Sequence, residues 1–368
     1  MAVPFRVAAR TSVEFGAGAV AQIGTLARQR GFRRTMLAAD SGMIAAGYVA
    51  RVGALLEGEG IAVVPYHEFA ENPDSAQLET AAMHRDLRGI DSIVALGGGS
   101  SLDFAKGFNF LVTNGGRIHD YHGYDKASKP LLPMIGVPTT TGTGSEAQSY
   151  ALISDAETHV KMACGAPSAA FSLVILDPEL ASSQPRSVLA ASGYDAISHA
   201  VESFVTTKGN LASDCFARQA WRLLEGAFEG ALTGTGGIEA VAHMQLGAYW
   251  AGAAIECSML GATHATANPL TAHFGTTHGV AIAVMLAPVV RWNSAVAAPR
   301  YRELHPDLPA RLDELARAAG LPRSLGELRV PESMLTQLAD DASKQWTGRF
   351  NPRPFDVAAA LEIYRCAY

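Results

Sequence analysis

Cysteine is scarce in this sequence. Four cysteines occur in 368 residues, and no two of them show the CxxC spacing of zinc and redox motifs. We therefore expect the free thiols of a cytoplasmic protein, and neither a disulfide framework nor a cysteine-metal site. Charge is low as well, since charged residues make up 17% of the chain and the net charge is −6. This balance argues against nucleic acid or an anionic membrane as the main partner.

Long apolar runs are also missing. No stretch reaches the roughly 18 apolar residues that a membrane span needs, and residues 1–7 lack the apolar core of a signal peptide. The chain is nevertheless 48% hydrophobic, which is typical of a globular protein. Because 368 residues exceed one ordinary hydrophobic core, the length predicts two domains.

In the first half of the chain, short apolar runs alternate with helical patterns. The runs predicted as strands are residues 11–15, 35–40, 61–66, 92–96 and 132–137. Such alternation predicts an α/β domain with a mainly parallel sheet, covered by helices on both faces. Ligands of such sheets bind beyond the carboxyl ends of the strands.

Three turns after these strands are candidates for binding a dinucleotide. Gly16–Ala21 fits the GxGxxG/A pattern, although a tight strand-helix turn explains it equally well. Gly97-Gly98-Gly99-Ser100 is the better phosphate candidate, because bare backbone N–H groups and a following helix N-terminus favour an anion. The run from Thr139 to Ser145 offers hydroxyls and N–H groups to phosphate, ribose or the nicotinamide amide.

Asp40 is the last residue of the second predicted strand. It either caps the next turn or accepts hydrogen bonds from an adenosine ribose diol. In the second case its carboxylate would repel a 2′-phosphate, so the sequence favours NAD over NADP.

In the second half the strand patterns stop and helical periodicity takes over. The predicted helices are residues 187–206, 211–232, 237–259, 278–294, 308–320, 332–345 and 355–366. We place the boundary so that residues 1–182 form the dinucleotide-binding domain and residues 183–368 an all-helical one. With no long linker, we expect firm packing and a cleft between the domains as the ligand site.

Asp195 and His199 are four residues apart, so a helix places both side chains on one face. Amid small and apolar neighbours, they form either a buried ion pair or half of a metal site. His264 and His278 are candidates for two further ligands. Imidazoles with one carboxylate suit Zn(II) or Fe(II) better than Ca(II) or Mg(II). The other candidates near this set are His243, His273 and Glu202, the last of which we expect to pair structurally.

Several motifs together resemble the iron-containing (group III) alcohol dehydrogenase family, and the match runs along the whole chain. They are Gly97-Gly98-Gly99-Ser100 with Asp103 and Lys106, the run from Pro138 to Glu146, Gly193-x-Asp195-Ala196-x-x-His199-Ala200-x-Glu202, His278-Gly279 with Pro288, and Asn351-Pro352-Arg353-Pro354. Any one of these motifs alone would be unspecific. In combination they point to this family.

The resemblance implies an N-terminal dinucleotide-binding α/β domain and an all-α metal-binding domain, as in dehydroquinate synthase. It implies hydride transfer between NAD and a small alcohol or aldehyde, with Fe(II) or Zn(II) as Lewis acid, in a homo-oligomer. The family's metal ligands fall on Asp195, His199, His264 and His278. Its cofactor contacts fall on Asp40, Asn72, Gly97, Gly98, Gly99, Ser100, Asp103, Thr139, Thr140, Thr143 and Lys161.

One position departs from the family's pattern. Well-known members carry a histidine four residues after the third metal ligand, regarded as a proton relay, and here that residue is Asn268. An amide cannot exchange a proton near pH 7 as imidazole can. We hypothesise that the proton passes through water, a cofactor ribose hydroxyl or His273, or that the pocket takes a different substrate. Tyr150 either shapes that pocket or packs in the core.

Other activities are open on the same fold. A glycerol-type polyol dehydrogenase or a maleylacetate-type reductase is the main alternative. A metal-dependent lyase that uses NAD transiently would need a basic pocket, and the sequence shows no clustered Lys or Arg around the metal motifs. A non-catalytic nucleotide-binding protein is conceivable only because of Asn268.

Overall fold

The computed structural model of the protein describes Phe5, Val7, residues 10–158 and residues 160–368. The expectation that residues 1–7 are not a signal peptide therefore falls mostly on residues outside the described ones. The strands are β1 (Ser12–Phe15), β2 (Arg34–Ala39), β3 (Ala62–Tyr66), β4 (Ser92–Gly97), β5 (Gly123–Tyr124), β6 (Met134–Pro138), β7 (Tyr150–Ser154), β8 (Lys161–Gly165) and β9 (Leu173–Leu176).

Helices occur in both halves of the chain and dominate the second. They are α1 (Ile23–Gln29), α2 (Ser41–Ala45), α3 (Tyr48–Gly58), α4 (Ser75–Met83), α5 (Gly99–Asn114), α6 (Pro178–Ala181), α7 (Arg186–Val205), α8 (Leu211–Thr233), α9 (Gly237–Cys257), α10 (Ala262–Phe274), α11 (His278–Leu304), α12 (Leu308–Ala319), α13 (Leu335–Ser343) and α14 (Val357–Cys366).

The described chain forms two compact units. An α/β unit contains residues 10–140 and Ser145–Ser183, and a helical unit contains Thr141–Gly144 and Gln184–Tyr368. The chain thus leaves the α/β unit between Ser183 and Gln184. The short Thr141–Gly144 segment, which the sequence assigned to the first domain, groups with the helical unit instead.

In the α/β unit, the described strands form a six-stranded sheet in the order β1-β9-β6-β4-β2-β3, with every pair parallel. The predicted parallel sheet is confirmed. β4, β6 and β9 are buried along their whole length, which explains why β4 and β6 are continuous apolar runs in the sequence. A second, three-stranded sheet has the order β5-β8-β7, in which β7 and β8 are antiparallel.

The register of the large sheet brings three turns together. Ala39 lies opposite Leu96, and Gly97 lies opposite Pro138. β2, β4 and β6 therefore end at the same edge. The residues that follow these strands begin the segments singled out for cofactor binding.

In the helical unit, one large hydrophobic cluster joins the helices. It includes Tyr194 of α7, Phe228 of α8, Met244 of α9 and Met285 of α11. α11 is long and apolar enough to cross a membrane, but 72% of its most apolar window is buried inside the protein, as in a core helix. No disulfide joins the four cysteines, all of which lie in the described part of the chain.

The Gly16–Ala21 turn is closed by a residue from the other end of the unit. The buried carboxylate of Asp177 accepts hydrogen bonds from the N–H groups of Gly18 (3.0 Å) and Val20 (3.1 Å), and also from Glu179 N (3.0 Å). The N–H groups that a dinucleotide phosphate would need are therefore already bonded. The structure agrees with the interpretation of this turn as structural.

We predict that Asp177→Ala lowers the free energy of unfolding by about 3 kcal/mol, because it leaves backbone N–H groups buried without an acceptor. Asp356 is a matched control. It caps α14 from an exposed position through a single bond to Ala359 N, so Asp356→Ala should cost only about 1 kcal/mol. Urea denaturation measures both variants, and equal losses would contradict this account of the turn.

Candidate functional site

Asp195 and His199 lie one turn apart in the buried middle of α7. Both side chains are almost fully buried, and His199 Nε2 lies 3.4 Å from Asp195 Oδ1. The apolar residues around them pack into the hydrophobic cluster of the unit, so the polar pair is fixed inside a core helix. The predicted common face of the two residues is thus present.

Two further helices bring histidines to the same oxygen. His264, the third residue of α10, places its Nε2 3.6 Å from Asp195 Oδ1, and His278, the first residue of α11, places its Nε2 3.7 Å from that atom. Gly279 permits this approach, because a Cβ atom there would lie 2.2 Å from Ala191 O of α7. The three imidazole nitrogens therefore face one carboxylate oxygen.

These distances suit a shared cation. A metal bonded to N and O donors at about 2.0–2.1 Å holds neighbouring donors roughly 3.4 Å apart in a tetrahedron. The donor atoms of Asp195, His199 and His264 all lie within 4.8 Å of one another. Among the described residues, no hydrogen bond satisfies the buried Asp195 Oδ1 or His264 Nε2. Because orphaned buried polar atoms are costly, the residues present fit a divalent metal ion.

Glu202 orients one of these histidines. Its Oε2 lies 2.5 Å from His264 Nδ1, and its Oε1 accepts a hydrogen bond from Thr263 N (2.7 Å). A carboxylate on Nδ1 directs the Nε2 lone pair outward, as is usual for metal-bound histidines. The sequence predicted a structural pairing of Glu202, and the structure identifies the partner as a candidate metal ligand.

The carboxylates and imidazoles of the cluster shift one another's pKa values. Burial alone would raise the pKa of Asp195, but the neighbouring imidazoles of His199, His278 and His264 outweigh burial and hold this pKa well below its ordinary value. Burial lowers the pKa of His199. Burial also lowers the pKa of His264, but the carboxylates of Asp195 and Glu202 outweigh this and raise it to about 9. In the protein without metal, His264 is thus protonated at pH 7 and His199 is neutral.

In the α/β unit, several of the predicted cofactor residues gather where β4 leads into α5, at the glycine-rich loop Gly97–Ser100. Asp40 caps α2 through Met43 N (3.2 Å) and also accepts a hydrogen bond from Ser101 Oγ (3.1 Å). Asn72 N donates to Ser100 Oγ (3.0 Å). The structure thus shows the capping role of Asp40 and places its carboxylate at this loop.

The threonine-rich run follows β6 at the same loop. Thr139 N donates to Gly97 O (3.0 Å), and the Thr140 side chain lies against Gly98. Thr143 belongs to the segment that groups with the helical unit. Gly142 in that segment has a packing role, because a Cβ atom there would lie 2.2 Å from Ser192 O of α7. The close contact with α7 is therefore a sufficient reason for a glycine at position 142, without any role in cofactor binding.

Asp103 is half-buried near the start of α5 and belongs to a polar network with Ser145. Its Oδ1 accepts a hydrogen bond from Ser145 Oγ (2.7 Å), and burial raises its pKa. Lys106, which is fully buried, donates to Ser145 O (2.6 Å), Gln148 O (2.8 Å) and Tyr150 O (2.9 Å). These contacts indicate that Asp103 and Lys106 shape the chain from Ser145 to Tyr150. A direct contact of Asp103 with the cofactor stays a prediction.

The remaining predicted residues have separate surroundings. Lys161 begins β8 opposite Ser154. The Tyr150 ring packs 5.4 Å from that of Tyr124 in the small sheet, which favours a packing role. His273 is exposed, bonds to Asp341 Oδ2 (2.9 Å), and follows His264 by about 13 Å along the axis of α10. This placement does not support His273 as a proton relay.

Asn268 lies one turn after His264 on α10 and is half-buried. Its Nδ2 donates a 3.0 Å hydrogen bond to Gln345 Oε1. No local pattern predicts this contact, because Gln345 is 77 residues away in an irregular segment. Asn268 and Gln345 thus form a pair of amides next to the His264 turn.

The sequence was compared with known proteins. Residues 10–178 match the family described as iron-containing alcohol dehydrogenase, and residues 189–368 match the C-terminal family of the Fe-containing alcohol dehydrogenases. Alcohol dehydrogenase 4 of Schizosaccharomyces pombe is 35% identical over 350 residues, which cover 92% of this chain and 83% of the relative. The NAD-dependent methanol dehydrogenase of Bacillus methanolicus is 29% identical, over 96% of this chain and 97% of the relative.

The fold agrees with these similarities. A solved structure of 1,3-propanediol oxidoreductase superimposes with a TM-score of 0.92 at 29% identity, covering 97% of each chain.

We predict that metal affinity rises with pH. Since His264 carries a proton below its pKa of about 9, a metal must displace that proton. The affinity for Zn(II) should therefore increase roughly tenfold per pH unit between pH 7 and 9 and then level off. The affinity at each pH is measured by competition with a chelator. Glu202→Gln removes one of the carboxylates that raise the pKa of His264, so the Zn(II) affinity of this variant should level off at a lower pH. A Zn(II) affinity that does not change with pH in either protein would contradict the prediction.

Proposed function

This chain belongs to the iron-containing alcohol dehydrogenase family and is an oxidoreductase that uses NAD and a divalent metal, and we propose that Asp195, His199, His264 and His278 hold the metal. The observation that carries the proposal is the convergence of three Nε2 atoms on Asp195 Oδ1 at 3.4–3.7 Å. The proposed substrates are small alcohols and the corresponding aldehydes. The names of the relatives, which include methanol and 1,3-propanediol enzymes, support this size range.

When bound, the metal supplies a Lewis acid for the substrate oxygen, and the nicotinamide carries the hydride. The chain's own part is to hold both groups. The proposed pyrophosphate site is Gly97–Ser100 at the start of α5, where backbone N–H groups and the helix dipole favour an anion. Asp40 is the proposed ribose acceptor, because each of its carboxylate oxygens can accept more than the single bond seen here.

The proton is proposed to leave through water or a ribose hydroxyl of the cofactor. Asn268 does not titrate, and its Nδ2 is bonded to Gln345. His273 is paired with Asp341 at the far end of α10. The Asn268–Gln345 pair is instead proposed to contribute hydrogen-bonding groups to the substrate pocket.

The cellular setting is proposed on the family resemblance. A cytoplasmic location fits the free cysteines of the described chain and the burial of α11. The proposed homo-oligomer rests on the resemblance alone. Residues 1–182 and 183–368 are the proposed domains.

The metal requirement tests the assignment. Protein purified without oxygen should contain about one Fe or Zn per chain, and it should reduce NAD with short-chain alcohols. His199→Ala should lose both the metal and at least 10²-fold in kcat/KM, because a ligand and its charge disappear. His243→Ala is the matched control, a histidine outside the ligand set, and it should keep both. Net formation of NADH separates a dehydrogenase from a lyase or a non-catalytic protein.

The proton route is tested at position 268. We expect Asn268→His to change kcat and to introduce a titration near pH 6–7 in the pH profile, because imidazole exchanges protons there and an amide does not. Gln345→Ala frees the Asn268 amide without adding a titrating group, so it should alter KM but not the pH profile. If Asn268→His leaves kcat, KM and the pH profile unchanged, position 268 lies outside the proton route.

A further inference from the structure

The helix that carries His264 has no capping side chain of its own. α10 begins after Gly261, which supplies no side chain, although the first N–H groups of a helix lack partners within it. Side chains from distant segments provide these partners. Thr263 N and His264 N donate to the two oxygens of Glu202, at 2.7 and 3.4 Å.

The remaining N–H group of this first turn is bonded by a residue from the C-terminal segment. Ala262 N donates to Asn351 Oδ1 (3.2 Å) across 89 positions of sequence. Asn351 is buried and lies within the Asn351-Pro352-Arg353-Pro354 motif, to which the proposed function assigns no role. A buried oxygen thus acts as a cap for a helix to which it does not belong.

The orientation of the Asn351 amide is determined by its surroundings. Its Nδ2 donates to Asn293 Oδ1 (2.8 Å) and to Arg353 O (2.8 Å). Its Oδ1 accepts a second bond from Asn293 Nδ2 (2.9 Å). A rotated amide would place an NH₂ group against Ala262 N and lose these bonds. The pair with Asn293 therefore keeps the oxygen directed at the start of α10.

We propose that Asn351 is a positioning residue of the metal centre. By accepting the hydrogen bond from Ala262 N, it fixes the first turn of α10. The position of His264 relative to Asp195 is thereby fixed as well. Glu202 orients the imidazole ring, whereas Asn351 holds the backbone from which that ring projects. The inference rests on the proposed metal ligands. It adds a residue that touches neither metal nor substrate.

The test is the affinity of the protein for Co(II), measured by chelator competition, together with the visible absorption spectrum of the Co(II) protein. Asn351→Ala should raise the Kd on the order of tenfold, as is typical for partners of metal ligands, and should alter the spectrum because His264 shifts. The melting temperature will also fall, since the Asn293 amide loses its partner. The Co(II) Kd and the absorption spectrum therefore decide the test, and the melting temperature does not.

Arg353→Ala is the matched control. Arg353 anchors the same segment through Trp292, by a bond from its Nη1 to Trp292 O (3.0 Å) and by stacking 3.9 Å from the ring. In the described chain, neither side chain forms a hydrogen bond with α10. This variant should therefore lower the melting temperature and leave the Co(II) Kd and spectrum unchanged.

A further variant addresses the cap itself. Gly261→Ala adds a Cβ atom 3.1 Å from both Asn351 Oδ1 and Glu202 Oε1. Crowding both capping groups should weaken Co(II) binding even if Asn351→Ala does not fold.

The proposal is overturned if Asn351→Ala, or Gly261→Ala where the first variant does not fold, binds Co(II) as the wild type does. It is also overturned if Arg353→Ala weakens binding equally, because the effect would then belong to the segment as a whole. Failure of the wild-type protein to bind Co(II) would refute the metal site and this inference together.

Discussion

The burial of a carboxylate among three imidazoles constrains the whole helical unit. Asp195 Oδ1 lies inside the core helix α7, where an unpaired charge would be strongly destabilising. A divalent cation bonded to this oxygen and to the facing nitrogens removes that cost. α7, α10 and α11 must then pack so that residues from three helices meet within a few ångströms. Folding of the unit and metal binding are therefore linked, and each should stabilise the other.

The α/β unit satisfies a different constraint. A parallel sheet aligns the ends of β2, β4 and β6, and the residues after these strands form one rim of backbone N–H groups and hydroxyls. The buried ammonium of Lys106 bonds three backbone oxygens between Ser145 and Tyr150. The motif that combines glycines, Asp103 and Lys106 thus contains a buried lysine that fixes the next segment, besides the glycines proposed to bind the cofactor.

Sequence periodicity predicted the elements that bury one face or run continuously through the core, such as β4 and α7. It did not predict α10, because Pro269 and a threonine-rich stretch obscure the helical pattern of residues 262–274. β9 was missed because its four buried residues are too few to show periodicity. α11 is longer than predicted because the helix continues through Pro299.

The candidate site shows the same limit. Helical spacing indicated that Asp195 and His199 share a face, but the placement of His264 and His278 beside them came from family resemblance. The partners Gln345 and Asn351 are 77 and 89 residues from the groups they contact. Contacts of this kind depend on how helices pack, and local pattern carries no information about them.

The turn after β1 has a wider consequence. Its glycines and backbone N–H groups have the form of a nucleotide motif, yet the Asp177 carboxylate occupies the place of the anion. The Asp177 carboxylate accepts the hydrogen bonds that a phosphate of a bound nucleotide would otherwise accept. A glycine signature therefore reports only that a backbone can surround a negative charge. Whether that charge is a diffusing ligand or an acidic side chain some 160 residues downstream depends on the tertiary fold.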